Sequence, residues 1–333
     1  MNTSGGLYSP TPLIATNPVV VSVAELHDVD DYGATLPGWS SEVQQLSNGF
    51  FAGRCSLVSF AGMQLFREIT SQRMCVKFAT KANSRSIALP LSLSQPALFS
   101  GTEVNHREIV CFAEDETFTY YTAHSSDLLT LSFDTDVFAA YADQIKDSDV
   151  ARSLDKTAFL KVMPDQAAQL QTFLQTVLTV LLNNPGALQH QHAQDSLTES
   201  IYTQVLKLLG NGDKLCAFAM PKHRYALVAR AREYLFHDPL GESFTIARLC
   251  HYLGVGSRTL EYAFQDVLGM TAVAYLRALR LNYVRQDIKS GGPQSSVLDI
   301  AARWGFWHPS HFSADYKRLF GDLPSETRRR YAS

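Results

Sequence analysis

The stretch SRTLEYAFQ, residues 257–265, interleaves Leu260, Ala263 and Phe264 with Ser257, Arg258, Thr259, Glu261, Tyr262 and Gln265. On a helix the apolar three, joined by Val267, fall on one face and the six polar residues on the other. Arginine, glutamine, glutamate and hydroxyl side chains are those that hydrogen-bond base edges in the major groove of DNA. A second set has the same character. In PSHFSADYKRLF, residues 309–320, Phe312, Tyr316, Leu319 and Phe320 face inward and leave Ser310, His311, Ser313, Ala314, Lys317 and Arg318 outside. Both sets suit contact with nucleic acid, through bases or through phosphates.

The elements that must hold these faces are legible around them. Ile246, Leu249, Cys250 and Leu253 recur at i, i+3, i+4 and i+7 and predict a short helix stopped by Gly254. The turn Gly254-Val255-Gly256 leads into the first polar-faced helix, and two short helices joined through a Gly-containing turn make a helix-turn-helix. The pattern recurs with Val297, Ile300, Ala301 and Trp304, a turn at Gly305, and Pro309 in the first turn of the next helix. Trp304, Phe312, Tyr316 and Phe320 are accordingly expected in the core. Between the motifs, residues 271–290 predict one helix of about 18 residues, about 27 Å long at ~1.5 Å per residue. Successive major-groove faces recur at about 34 Å, so such a helix can hold two recognition helices in adjacent grooves. Arg277, Arg280, Arg285 and Lys289 on and beside it are expected to contact phosphates.

The tandem motif, its spacing and the closing string GFWHPSHFSADYKRLFGDLPSETRRR resemble the DNA-binding domain of the AraC/XylS family of bacterial transcription regulators, over roughly Tyr225 to Tyr331. Within it, RTLEYAFQDVLG, AYLRALRLN and ARWGFWHPSHFSADY are most similar to the subgroup containing the ethanolamine-utilisation operon regulator. Two positions depart from the family pattern. Gly256 stands where a capping Ser is frequent, and Ala314-Asp315 stand where Arg and a small residue are common. The second departure shifts the second recognition helix toward holding phosphate through His311, Lys317 and Arg318.

The charge distribution agrees with an anionic partner for this region. Residues 221–333 carry 16 Lys and Arg against 10 Asp and Glu, or +6, whereas residues 1–220 carry 13 against 22, or −9. The remainder has a different pattern. Short β-branched and aromatic runs such as CSLVSFAGMQLFREI, SIALPL and LLTLSFD, broken by turn-formers about every ten residues, predict an antiparallel sandwich or small barrel. PDQAAQLQTFLQTVLTVLLNNPG and SLTESIYTQVLKLLG predict two amphipathic helices, which either close the β domain or form a dimer seam.

The expected class is therefore α+β: a β-rich domain over 1–162, a helical closing or dimerisation segment over 163–210, a linker over 211–223, and a two-motif DNA-binding domain over 224–333. At 333 residues and 46% hydrophobic content, two cores are affordable. No run of about 18 apolar residues occurs and the N-terminus lacks an export layout, so a cytoplasmic protein that does not span a membrane is expected. The five cysteines form no C-x-x-C pair, and neither His106-Arg107-Glu108 nor His190-Gln191-His192 has a third ligand at a recognisable spacing. No metal, cofactor or catalytic residue is expected. Arg67-Glu68 and Arg73 either line a pocket or pair at its rim.

What the family resemblance adds is a cupin-like β-barrel sensor that binds an unidentified small effector or a partner, a homodimer, and an activator acting with RNA polymerase. By the subgroup resemblance alone the effector is ethanolamine with a cobalamin. The competing class is a cupin-type metal-dependent enzyme fused to a DNA-binding domain, which needs a metal triad in the barrel.

Overall fold

The fold is described from a computed structural model, over residues 18–35, 37–105, 108–114, 116–147, 158–161, 163–211, 213–217, 223–237, 245–290 and 295–331. The β region builds two antiparallel sheets. The first contains β1 (Val20–Leu26), β3 (Gly53–Phe60), β4 (Met63–Thr70), β11 (Ser126–Asp134), β6 (Ser84–Leu93), β9 (Glu108–Phe112), β12 (Ala158–Lys161) and β13 (Asp213–Ala217), in that order. The second contains β2 (Ser40–Gln45), β5 (Met74–Ala79), β10 (Thr117–Tyr121), β7 (Ala97–Phe99) and β8 (Thr102–Val104).

Strand periodicity explains why the hydrophobic runs are nearly continuous. In β6, Ile87 and Leu89 join a core beneath helices, while Ala88 between them joins the core against the second sheet. In β9 Ile109 and Cys111 do the first, Val110 and Phe112 the second. A strand covered on both faces needs apolar residues at both parities. The first sheet is thus a middle layer. On one side lie α2 (Thr135–Gln144), α3 (Pro164–Asn183) and α4 (Gln191–Asn211), which bury Leu170, Leu174, Leu178, Ile201 and Val205 against it.

These positions correct two expectations. No single barrel forms among the described strands: both sheets are open, with edges at β1 and β13 and at β2 and β8. Helices cover one face of the larger sheet and the smaller sheet covers the other, so closure is not needed to bury either. The expected linker, in turn, contributes β13, which pairs with β12. The two amphipathic helices pack against the larger sheet.

The C-terminal region is helical: α5 (His223–His237), α6 (Ile246–Leu253), α7 (Ser257–Leu268), α8 (Ala272–Ser290), α9 (Val297–Arg303), α10 (Pro309–Phe320) and α11 (Pro324–Tyr331). It does not stand apart from the β region. Leu46, Cys75 and Tyr121 belong to the same buried cluster as Tyr225, Leu260, Phe264 and Leu279. Gly101, at φ +92, lies so near the Tyr225 ring that a Cβ there would come within 2.6 Å of it.

Polar contacts fasten the same junction. The Asn282 amide accepts from the Gln45 backbone N–H and donates to the Gln45 carbonyl, both at 2.9 Å, and so pairs the edge strand β2 as a neighbouring strand would. The Gly49 N–H donates to Arg318 and Leu319 carbonyls at the end of α10, at 3.0 and 3.1 Å. Arg73 donates to the Leu268 carbonyl at the end of α7.

The strongest link starts at α1, Val29–Tyr32. Its N-cap Asp28 accepts from Arg285 of α8 at 2.7 Å and from Tyr331 at 3.2 Å. The other arm of the Arg285 guanidinium reaches Asp322 at 3.0 Å, Tyr316 at 3.2 Å and Thr327 at 3.3 Å. Lys289 pairs with Asp30 at 2.9 Å. Arg285 and Lys289, expected on phosphates, are instead committed inside the protein. Burial alone would raise the Asp28 carboxyl, but its hydrogen bonds and charge contacts with Arg285 and Lys289 hold it at about 2, below the ordinary 3.8.

Arg285→Ala leaves buried Asp28 with Lys289 alone and buried Asp322 with the half-exposed Arg330 alone, so urea unfolding of the full chain should show a loss of roughly 3 kcal/mol. A loss under about 1 kcal/mol would show the network to be dispensable. Because the folded Asp28 value lies below the unfolded one, its contribution is complete above about pH 4 and disappears as pH falls toward 2. Asp28→Asn should remove that acid-dependent part of the stability curve.

Candidate nucleic-acid interface

The first motif is set by its turn. Thr245 caps α6 by accepting from the Arg248 N–H at 3.3 Å, and Leu249 and Leu253 bury its inner face. Gly254 then takes the left-handed conformation, φ +68, with its N–H bonded to the carbonyls of Cys250 and His251. That conformation suits glycine and ends α6 within one residue. α7 follows with Gly256 as an N-cap that offers no side-chain bond, and buries Leu260, Ala263, Phe264 and Leu268.

Opposite this buried stripe Ser257, Arg258, Thr259, Tyr262 and Gln265 are exposed together, as their spacing predicted. Arg258 donates to the Tyr262 hydroxyl from Nε at 3.0 Å and from Nη2 at 2.9 Å, with its Cζ 5.4 Å from the ring centroid. One helical turn apart, the tyrosine holds the guanidinium and leaves Nη1 available as a donor. Glu261 is different. It is half-buried, and its carboxylate accepts from the Ala272 N–H at 3.2 Å, so it caps the first turn of α8 instead of joining the exposed face.

α8 spans 19 residues, about 28 Å at ~1.5 Å per residue. The second motif is fixed to it by specific bonds. The Trp304 indole donates to Asp287 at 2.9 Å and stacks on Tyr283 at 4.7 Å, which explains a buried tryptophan at the end of α9. α9 itself opens with a capping box: the Ser296 hydroxyl accepts from the Asp299 N–H and the Asp299 carboxylate accepts from the Ser296 N–H. Gly305, φ +80, makes the turn and Pro309 starts α10.

On α10 Phe312, Tyr316, Leu319 and Phe320 are buried, while Ser310, His311, Lys317 and Arg318 are exposed and Ser313 is half-buried. Asp315 has turned inward. It pairs with Arg277 of α8 and with Arg318, each at 3.3 Å, and so occupies two cations that the sequence offered to phosphates. Both keep more than half of their side chains exposed. A residue not singled out as DNA-facing from the sequence is Trp307, in the turn before α10. At 74% exposed it is an unusual position for an indole, and its place beside Gly305 was the available signal.

Among the described residues no three His, Cys, Asp or Glu side chains are grouped to hold an ion. His106 and Arg107 lie outside the described residues. Nor is any helix among those residues long and apolar enough to cross a membrane.

Residues 249–330 match the family model described as a helix-turn-helix domain. The C-terminal region is therefore similar in sequence to a helix-turn-helix domain. The chain is 38% identical over 89 residues to the probable thc operon regulatory protein of Rhodococcus erythropolis, covering 26% of this chain and 27% of that one. It is 28% identical over 138 residues to the XylDLEGF operon transcriptional activator 3 of Pseudomonas putida, covering 41% and 40%. These matches therefore span about a quarter to two-fifths of the curated relatives' lengths. Among solved structures, the AraC-like transcriptional activator CuxR is similar over 78% of this chain and 94% of its own, at 12% identity and a TM-score of 0.41.

Two substitutions separate the roles within the helix-turn-helix domain. Arg258→Ala should cost about 1–3 kcal/mol of specific binding and relax the sequence preference, measured by fluorescence anisotropy on preferred and scrambled duplexes. Lys317→Ala should weaken both duplexes alike and reduce the salt slope by about one. An unchanged preference after Arg258→Ala would remove that residue from base reading.

Proposed function

We propose that the chain is a sequence-specific DNA-binding transcription regulator that reads a promoter site through two helix-turn-helix units and answers to a small molecule bound in its β region. The observation that carries this reading is the exposed polar face of α7. Arg258 and Tyr262 are pre-arranged there above a fully buried apolar stripe, and α10 repeats the design with Lys317 and Arg318. Solvation alone does not call for a hydroxyl that orients an arginine.

The second unit acts chiefly on phosphate. Ala314 gives α10 no base-reading side chain at that position, and Asp315 offsets part of its charge. The relatives named as activators support an activator, and an activator of this kind would work with RNA polymerase. We take the β region, residues 1–162, as the effector domain, cupin-like in ancestry though made of two open sheets. Residues 163–210 close it and supply a surface for homodimerisation in the cytoplasm. Control then runs through the junction, where Asn282, Arg285 and Lys289 tie α8 to the β region. An effector works only to the extent that it binds one arrangement of the two regions better than the other.

The ethanolamine-operon subgroup stays a proposal on the residues of the DNA-binding half alone. No described feature of the β region calls for a cobalamin.

Sequencing of genomic fragments captured by the purified full chain tests the function directly. The expected result is a shared motif with two half-sites about one helical turn, or ~10–10.5 base pairs, apart. Affinity for that motif should fall with salt at a log–log slope of about −0.9 per phosphate neutralised. Fragments without a common motif, or salt-insensitive binding, would sink the reading.

A further inference from the structure

Between the two sheets lies a cavity whose walls include Trp39, Phe66, Phe78, Phe99, Phe112 and Tyr120. Its internal volume is about 60 Å³, within about 680 Å³ of space between atoms that includes open solvent. The rings are braced edge to face: Trp39 on Phe66 at 5.6 Å, Phe78 on Phe112 at 5.6 Å. Trp39 is held further by its indole N–H, which donates to Gln64 at 3.2 Å.

One side chain in this lining carries a full charge when ionised. Glu68 of β4 is 5% exposed, and its Oε1 is buried without a hydrogen-bond partner. Its chain neighbour Arg67 points to the other face and pairs with Asp127 at 2.6 Å, so it does not neutralise the carboxyl. Burial lifts the Glu68 carboxyl to about 7, against a smaller opposing effect of the hydrogen bond from Tyr32. A buried carboxyl with an unused oxygen costs stability, and among the described residues no contact uses that oxygen.

We infer that this cavity binds a small organic ammonium ion with an apolar or aromatic body, its N–H groups directed to the open oxygen of Glu68 and its charge faced by the surrounding rings. An ammonium converts the orphaned acceptor into a charge-assisted bond, and aromatic faces stabilise the same cation. Above pH 7, where Glu68 is mostly ionised, a carboxylate ligand would meet it as a like charge. A neutral hydrocarbon would leave Oε1 unpaired. This inference names the ligand class for the effector domain and rests on the proposed function only in calling that ligand an effector.

The cavity also touches the junction. Tyr32, which bonds Glu68, ends the four-residue helix α1 that Asp28 caps, and Asp28 and Asp30 hold Arg285 and Lys289. An ammonium on Oε1 shares the Glu68 carboxylate with the Tyr32 hydroxyl at one end of α1, while the other end carries the bonds to α8.

Isothermal titration calorimetry of the full chain with 2-phenylethylamine, 2-phenylethanol and phenylacetate tests the assignment. The amine should bind about tenfold or more tighter than the alcohol, and the acid weakest. Glu68→Gln should bring the amine down to the alcohol while alcohol binding persists, which also reports that the cavity is intact. Equal affinities for amine and alcohol, tightest binding of the acid, no binding of any probe, or an amine preference that survives Glu68→Gln would each overturn it. Specific DNA binding, measured without probe, separates the two readings. A chain with the amine preference but no operator keeps the site and loses the regulator. One with an operator but no preference loses only the site.

Discussion

Arg285 is the constraint around which the molecule is organised. Its guanidinium sits on the Phe320 ring at 4.6 Å and reaches carboxylates from two parts of the chain, Asp28 in the β region and Asp322 in the helical region. A cation that deep is tolerable only when its donors are used, and here Tyr316 and Thr327 accept from it as well. The group therefore fixes α8, α10 and α11 to one another and to α1 at once.

Around that point the junction distributes smaller bonds across both helix-turn-helix units. Arg73 satisfies a carbonyl at the end of α7, Gly49 does the same at the end of α10, and Asn282 holds the middle of α8. The β region thus grips the C-terminal ends of α7 and α10 and leaves their polar faces exposed. It is placed to set the orientation of one unit against the other without covering either.

Much of the helical region was legible in the sequence because its signals are local. The i, i+3, i+4, i+7 face of Ile246 to Leu253, the stops at Gly254 and Gly305, and the Pro309 start each act within a turn of helix. The misreadings concern partners. Arg285 and Lys289 on an otherwise basic helix look like phosphate contacts until Asp28, 257 positions away, arrives beside them. Glu261 shares the spacing of the exposed face, and only the path of the chain into α8 turns it into a cap. In the β region, strand alternation gave the two buried faces but not what covers each. A barrel interior and a sheet covered by helices on one side ask for the same residues at the same spacing. Glu68 carried no signal beyond its type, since its isolation is a property of the surrounding rings.

The bond from Asn282 to Gln45 has a practical side. β2 is an edge strand, and an edge left with free N–H and C=O groups is a template for pairing with other chains. In the intact protein a side-chain amide occupies that template, beside Leu46 and Tyr121 buried in the shared core. A β region cut away from its C-terminal partner would expose the edge and the apolar patch together. Solubility of the fragment, as much as its folding, is thus supplied by the helical region.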